Sequence, residues 1–178
     1  MSLNYYEEFR AIQTLFRSMQ SQKECGHYNM ILEYANEGTL REYLKTTNFT
    51  RLQWVDKLRI AKEIALGLLF LHNKGIIHRD LHSKNILIHQ GQPKIADFGL
   101  SKQINEMSTS SSSSFHGMPE YIDPKCFIIP NYKRDKKSDV YSLGVILWEI
   151  SSGRSPFQNF EPKIALCVHI SKELEKVR

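Results

Sequence analysis

Two long segments of the chain carry apolar residues at helical spacing. In the first, the apolar positions form a wide stripe: Val55, Leu58, Ile60, Ala61, Ile64, Ala65, Leu68 and Leu71. This stripe predicts a long, largely buried helix that follows a capping box of Thr50 and Gln53 and ends at Gly75. The second segment, residues 140–152, is apolar nearly all round and ends at Gly153. We expect it to be a central helix.

Shorter apolar runs predict the remaining elements. Residues 9–21 have a weak helical periodicity, which indicates an amphipathic helix that ends near Ser21. Residues 28–35 form an apolar run before a turn at residues 36–38, as expected for a strand. The pattern also predicts a short helix over residues 39–45, a hairpin made of residues 86–88 and 94–96, and a last helix over residues 161–177.

Composition narrows the class of protein. The chain has 178 residues, 41% of them hydrophobic, which fits one globular domain with a sizeable core. A formal charge of +5 is modest, so no nucleic-acid partner is expected. The three cysteines are widely spaced and are expected to be reduced thiols. No apolar stretch approaches the roughly 20 residues that span a bilayer, so we predict a cytoplasmic or nuclear protein without a membrane span.

A polar segment interrupts the apolar pattern at residues 101–115, where serine predominates from Ser108 to Ser114. Such a composition cannot bury enough apolar surface to order itself, so we expect a mobile segment. Two interpretations stay open, a plain flexible linker and a switch that is controlled by phosphorylation.

The chemistry-bearing residues are concentrated between the two long helices. His78, Arg79 and Asp80 precede Asn85, and Asp97-Phe98-Gly99 follows the predicted hairpin. Phosphoryl transfer requires a group that orients a hydroxyl and groups that neutralise the charge on the transferred oxygens. Asp80 can accept the hydroxyl proton, and Asn85 and Asp97 offer the hard oxygen ligands that Mg²⁺ prefers.

The motif H-R-D-x-x-x-x-N, followed by D-F-G, resembles the motifs of the protein kinases. The sequence is most similar to those of their tyrosine-kinase-like group. The resemblance implies an α+β fold that is mainly α, namely a large lobe with the hinge and a remnant of the small lobe. It covers residues 28–178 and implies a domain truncated at its C-terminus. Residues 1–27 would be an N-terminal helix or part of the small-lobe remnant.

The resemblance also implies a role for individual residues. Asp80 would be the catalytic base, Lys84 would neutralise phosphate charge, and Asn85 and Asp97 would hold Mg²⁺. The adenine of ATP would meet the backbone of Glu33 and Ala35, next to Leu32 as gatekeeper and above Leu87 as apolar floor. Leu87 can equally be a core leucine, and both readings can hold together. Asp139 would hold the backbone of the His78-Arg79-Asp80 turn, although a plain helix-cap role also fits its position.

Four departures from the kinase pattern bear on specificity and regulation. His82 stands where serine/threonine kinases have a lysine, and Met118 stands where a threonine usually contacts the catalytic aspartate. Lys125 replaces the glutamate of A-P-E, and the 178 residues contain neither G-x-G-x-x-G nor a V-A-I-K lysine. Specificity for serine, threonine or tyrosine therefore stays open. Arg79 would pair with a phosphate that an upstream kinase adds to Ser108 to Ser114.

The function implied is transfer of the γ-phosphoryl group of ATP to a hydroxyl of a protein substrate. The alternative is an inactive, pseudokinase-like binding module or a truncated gene product. The 178 residues lack the glycine-rich loop that would cover the phosphates of ATP and the lysine that would hold them. We therefore expect these residues alone to bind ATP weakly and not to phosphorylate protein.

Overall fold

The computed structural model describes residues 20–24, 27–31, 34–46, 52–98, 100–103, 117–160 and 163–175. They belong to two compact units. The first comprises Met1–Phe70 and Lys84–Ala96, and the second comprises Leu71–Ser83 and Asp97–Arg178. Most of the described regular structure is helical, with three two-stranded sheets, which confirms the predicted α+β, mainly α class.

The first unit begins with an antiparallel hairpin of β1 (Gln20–Glu24) and β2 (His27–Ile31), in which Gln20 lies opposite Ile31. The predicted strand is therefore present at β2. The predicted amphipathic helix lies mostly outside the described residues, but its end is wrong, because Gln20 and Ser21 belong to β1. Pairing with a neighbouring strand overrides a weak helical periodicity here.

Helix α1 (Leu40–Lys45) follows, as predicted, and its start is fixed by a capping box. The Thr39 hydroxyl accepts a hydrogen bond from Glu42 N at 3.3 Å, and Thr39 N donates to Glu42 Oε2 at 2.9 Å. Leu40 and Leu44 are buried. The amphipathic helix thus has both of its usual determinants, a cap and an apolar face.

Helix α2 (Trp54–Asn73) is the long helix that the apolar stripe predicts. Its core face consists of Ile60, Ile64, Leu68 and Leu71, all at most 2% exposed. Val55 and Leu58 are more than half exposed, so the predicted stripe is not buried near the start of the helix. The chain leaves the helix through Gly75, whose φ of 72° is accessible to glycine at little cost. The predicted cap, Thr50, lies outside the described residues.

The predicted hairpin is present as the second one of this unit, formed by β4 (Ile86–His89) and β5 (Gln92–Ile95), with Ile86 opposite Ile95. Ile86, Ile88 and Ile95 are buried. The backbone of residues 37–38 extends this pairing, because Glu37 N donates to Ile88 O at 3.1 Å and Ile88 N donates to Gly38 O at 2.8 Å. The turn after residue 35 is thereby attached to the hairpin.

The second unit contains the following elements: β3 (Ile76–Ile77) paired with β6 (Lys102–Gln103), a 3₁₀ turn (Pro119–Tyr121), α3 (Lys125–Ile128), α4 (Lys136–Ser152) and α5 (Lys163–Glu175). Helix α4 starts earlier than predicted. Its cap is Asp135, whose carboxylate accepts hydrogen bonds from Lys137 N and Ser138 N. Helix α4 ends at Gly153, as predicted, with φ 69°.

The predicted central helix is not buried on every side, although its sequence is apolar nearly all round. Three of its apolar side chains are exposed, Val140 by 56%, Leu147 by 39% and Trp148 by 48%. The buried face instead includes four polar residues: Ser138, Asp139, Ser142 and Glu149. These polar side chains have partners inside the second unit, and those partners determine which face of the helix turns inward.

Candidate active site

The His78-Arg79-Asp80 turn is held by one buried carboxylate on α4. Asp139 is 1% exposed; its Oδ2 accepts a hydrogen bond from His78 N at 2.9 Å and its Oδ1 accepts one from Arg79 N at 2.8 Å. His72 Nε2 lies 2.9 Å from the same Oδ2. Arg79 has a φ of 70°, a conformation that costs a non-glycine residue about 1–3 kcal/mol. Asp139 offsets this cost, and its predicted contact with the turn is confirmed.

Asp80 follows that strained residue and has an accessible carboxylate. Its backbone N donates to His78 Nδ1 at 3.3 Å, and its side chain is 17% exposed. Asp80 Oδ1 lies 3.6 Å from His82 Nε2. A Cβ atom at Gly117 would come within 2.8 Å of Oδ1, so only glycine leaves the carboxylate its room there. The aspartate is thus fixed by its backbone, and its carboxylate is partly exposed.

Arg134 lies beside this turn, next to Arg79 within it. Arg134 Nη1 donates to Arg79 O at 2.7 Å, and both residues line a small cavity with Asp80 and Met118. Burial and, next, the charge of Arg134 lower the pKa of the Arg79 guanidinium. Arg79 Nε is buried and has no hydrogen-bond partner among the described residues. The turn therefore combines positive charge with an unused donor.

The other predicted polar residues are divided between the two units. Lys84 and Asn85 belong to the first unit, at the 3₁₀ turn (Ser83–Asn85) that leads into β4; Lys84 is exposed and Asn85 is 8% exposed. Asn85 O accepts a hydrogen bond from Ala96 N at 2.8 Å, which closes the hairpin. Asp97 follows in the second unit, exposed and with a φ of 61°.

The residues predicted to meet the nucleotide are only partly described. Glu33 and Leu32 lie outside the described residues, as do Gly99 and Ser108 to Ser114. Ala35 is half-buried, and Leu87 is half-buried between the fully buried Ile86 and Ile88. Since side chains alternate along a strand, Leu87 points to the opposite face of β4 from these two core residues.

A buried polar contact behind the loop was missed by sequence reasoning. Tyr121 Oη donates to Glu149 Oε2 at 2.5 Å and lies 3.1 Å from Ser83 Oγ. Glu149 is 2% exposed, and Ser142 Oγ donates to Tyr121 O at 2.7 Å. The available signal was Glu149, the one carboxylate within the apolar segment of residues 140–152, since a buried acid requires a partner. The Tyr121 ring also packs at 5.9 Å from the ring of His82.

Among the residues that the structure describes, no helix is long and apolar enough to cross a membrane. In the same part of the chain, no three histidines, cysteines, aspartates or glutamates converge as a metal-binding group.

Comparisons with known proteins find similar sequences among protein kinases. A probable LRR receptor-like serine/threonine-protein kinase of Arabidopsis thaliana is 38% identical over 159 residues, which are 85% of this chain and 17% of that protein. A leaf rust 10 disease-resistance locus receptor-like protein kinase-like protein of the same plant is 43% identical over 128 residues, 70% of this chain and 19% of that protein. A probable serine/threonine-protein kinase of Dictyostelium discoideum is 39% identical over 137 residues, 75% of this chain.

The chain spans 13 to 19% of the length of these three relatives. The family model described as "Protein kinase domain" matches residues 3–177, nearly the whole chain. This match confirms the resemblance carried by the H-R-D and D-F-G motifs, and the chain belongs to the protein kinase domain family.

Proposed function

We propose that this chain carries the catalytic loop of an ATP-dependent protein kinase that phosphorylates a hydroxyl of a protein substrate. The observation that best supports the proposal is the turn before Asp80, where Asp139 holds two backbone N–H groups around the strained Arg79. Strained backbone persists only where the surroundings enforce it, and it clusters at active sites. The activity is proposed for the whole protein, because the chain spans 13 to 19% of the three relatives' length.

In the proposed reaction, the substrate hydroxyl oxygen forms a bond with the γ-phosphorus of ATP. The bond between that phosphorus and the β,γ-bridging oxygen breaks, and ADP leaves with the electron pair. The hydroxyl proton passes to the Asp80 carboxylate, whose exposure permits contact with a substrate. Lys84, an exposed cation on the loop, neutralises phosphate charge.

Asn85 and Asp97 are proposed to hold Mg²⁺. Both offer hard oxygen donors, and the exposed Asp97 has a left-handed backbone of the kind that is maintained at ligand sites. The donor set fits a magnesium ion that also binds phosphate and water, since Mg²⁺ is seldom enclosed by protein ligands alone. Bound Mg²⁺ supplies charge neutralisation at the phosphate oxygens.

The nucleotide base is proposed to lie against Leu87, with the backbone of Glu33 and Ala35 at its polar edge. The half-buried Leu87 supports this assignment, because it points away from the core face of β4 and offers apolar surface for a ring. Residues 28–178 are proposed to be the kinase-like domain, with residues 1–27 as a remnant of the small lobe.

We infer a serine or threonine hydroxyl as the acceptor, within the tyrosine-kinase-like group that the sequence resembles. Two of the three relatives are named as serine/threonine-protein kinases, and their identity to this chain is 38% and 39%. Localisation in the cytoplasm or nucleus stays a prediction, and imaging of the tagged natural protein tests it.

An upstream kinase is proposed to act on Ser108 to Ser114, with Arg79 as the phosphate ligand. The buried Nε of Arg79, which has no hydrogen-bond partner among the described residues, and the adjacent Arg134 supply the donor and the charge that a phosphate requires. Phosphopeptide mapping of activated protein tests this proposal, which fails if these serines remain unmodified.

The decisive experiment measures phosphate transfer by the natural protein that carries this chain, with Mg·ATP and a mixed peptide library. Asp80→Asn is expected to lower turnover by about 10² to 10⁴ and to leave the thermal midpoint unchanged, because it removes a general base from an open loop. Asp56→Asn, on α2, is the matched control and should retain wild-type turnover. An Asp80→Asn protein with full turnover contradicts the assignment. A folded wild-type protein that binds partners without phosphate transfer supports the binding module instead.

A further inference from the structure

His82 lies next to the proposed catalytic base, at a position where serine/threonine kinases have a lysine. It is 7% exposed, and its Nε2 lies 3.6 Å from Oδ1 of Asp80. That distance is too long for a direct hydrogen bond. However, hydrogen bonds of catalytic groups are often long in the absence of substrate and shorten in the reacting complex. The imidazole is therefore close enough to hold one oxygen of the Asp80 carboxylate.

The position of the imidazole is itself fixed by its surroundings. The His82 ring packs against the ring of Tyr121, with 5.9 Å between the ring centroids and an angle of 58° between their planes. Tyr121 is 2% exposed, and its hydroxyl donates to the buried Glu149. A continuous set of contacts thus leads from helix α4 through Tyr121 and His82 to Asp80, all within the second unit.

Of the described residues just before the Pro119–Tyr121 turn, neither Gly117 nor Met118 has a side chain that could donate an equivalent hydrogen bond to Asp80. Gly117 has no side chain, and its closeness to Asp80 Oδ1 leaves no room for one. Met118 lines the same cavity as Asp80, but its thioether is only a weak acceptor. The sequence therefore has a methionine where a hydroxyl would reach the aspartate, and a ring nitrogen on the catalytic loop instead.

We propose that His82 is a positioning residue for the proposed catalytic base. Its ring N–H holds Oδ1 of Asp80, which leaves the second carboxylate oxygen directed to the substrate hydroxyl. This inference rests on the proposed function, since it gives His82 a role only in phosphoryl transfer. It assigns orientation of the base to a histidine on the loop rather than to the segment around Met118.

The test uses the natural protein that carries this chain, with steady-state kinetics for ATP and peptide. His82→Phe keeps a ring against Tyr121 but removes the N–H, whereas His82→Gln keeps an N–H donor without the ring. His82→Phe is expected to lower kcat by about 10- to 100-fold, because a small misplacement of a catalytic group has effects of that size. The KM for ATP should stay within about 2-fold, since loss of orientation affects the transition state rather than ground-state binding.

Two rescues distinguish positioning from packing. His82→Gln should retain kcat within about 5-fold of wild type, since it keeps the donor whose loss lowers turnover. Adding Met118→Thr to His82→Phe should restore part of the lost kcat, because a hydroxyl then lies beside Asp80. His169→Leu, an exposed histidine on α5, is the matched control and should leave kcat and KM unchanged. Where His82→Phe does not fold, His82→Leu replaces it in the same comparison with His82→Gln.

Wild-type kcat in a folded His82→Phe or His82→Leu protein overturns the inference and leaves the proposed function intact. Equal losses in the Phe and Gln variants, together with lower thermal midpoints, also overturn it, because they indicate a packing role. A folded wild-type protein without phosphate transfer overturns the proposed function and the inference with it.

Discussion

The two long helices, α2 and α4, have similar apolar sequences but bury different kinds of side chain. The core face of α2 consists of isoleucines and leucines, and its exposed side carries Val55 and Leu58. Helix α4 buries Ile146 and Ile150 beside four polar residues, and it exposes Val140, Leu147 and Trp148. Apolar burial alone explains the orientation of α2, whereas it does not explain that of α4.

The difference follows from the partners of the buried polar groups. Burial of a carboxylate without hydrogen bonds is unfavourable in free energy. Asp139 and Glu149 can therefore be buried only where hydrogen-bond donors are available. The backbone of residues 78–79 supplies the donors for Asp139, and the Tyr121 hydroxyl supplies one for Glu149. Helix α4 therefore supports the His78-Arg79-Asp80 turn, and this orientation leaves its other, apolar side exposed.

The largest expected effect is that of Asp139→Ala. The substitution leaves the buried N–H groups of His78 and Arg79 without acceptors, and each such group costs about 1–3 kcal/mol. We expect a loss of about 2–6 kcal/mol in the free energy of unfolding by chemical denaturation. The matched control is Asp135→Ala at the cap of the same helix, which should cost about 0.5–2 kcal/mol. A smaller loss for Asp139→Ala than for Asp135→Ala would show that the turn does not depend on Asp139.

The next largest loss of stability is expected when a side chain on the core face of α2 is truncated. Ile64 is 1% exposed, and Ile64→Ala should cost about 2–5 kcal/mol, because the lost burial is accompanied by a cavity. Leu58→Ala, on the exposed side of the same helix, should change stability by no more than about 0.5 kcal/mol. Equal losses at the two positions would contradict the assignment of a single core face to α2. Thermal and urea unfolding of both variants provide the measurement.

These two helices also show what the sequence can and cannot predict. The spacing of Ile60, Ile64 and Leu68 is sufficient to predict helix α2 and its buried face. The apolar run Ile86 to Ile88 likewise predicts the second hairpin. The order of Asp80, Asn85 and Asp97 indicates the chemistry, because a motif is local in sequence. In contrast, the buried face of α4 depends on backbone donors 60 and 61 residues away, and His82 likewise contacts a residue, Tyr121, that is distant in the sequence. Patterns along the chain do not record such contacts.

A smaller effect is expected for Glu149→Gln. The substitution keeps an acceptor for the Tyr121 hydroxyl but removes the charge, and hydrogen bonds to charged groups contribute about 1 kcal/mol more than neutral ones. We expect a loss of about 1–2 kcal/mol in the free energy of unfolding. The double variant with Tyr121→Phe should lose less than the sum of the two single losses, because both act on one contact. Strictly additive losses would show that the two side chains are not coupled.

The smallest effect is expected on the exposed side of α4. Leu147 is 39% exposed, so Leu147→Gln removes little buried apolar surface and should change stability by no more than about 0.5 kcal/mol. Ile146→Gln, one residue earlier and fully buried, is the matched control; it places an amide in the core and should cost several times more, about 2–4 kcal/mol. Measured side by side in urea, the two variants test whether the polar face of α4 sets its orientation. A loss above about 1 kcal/mol for Leu147→Gln would mean that this side of the helix is covered in the folded protein, so that α4 would resemble the central helix that its composition predicts.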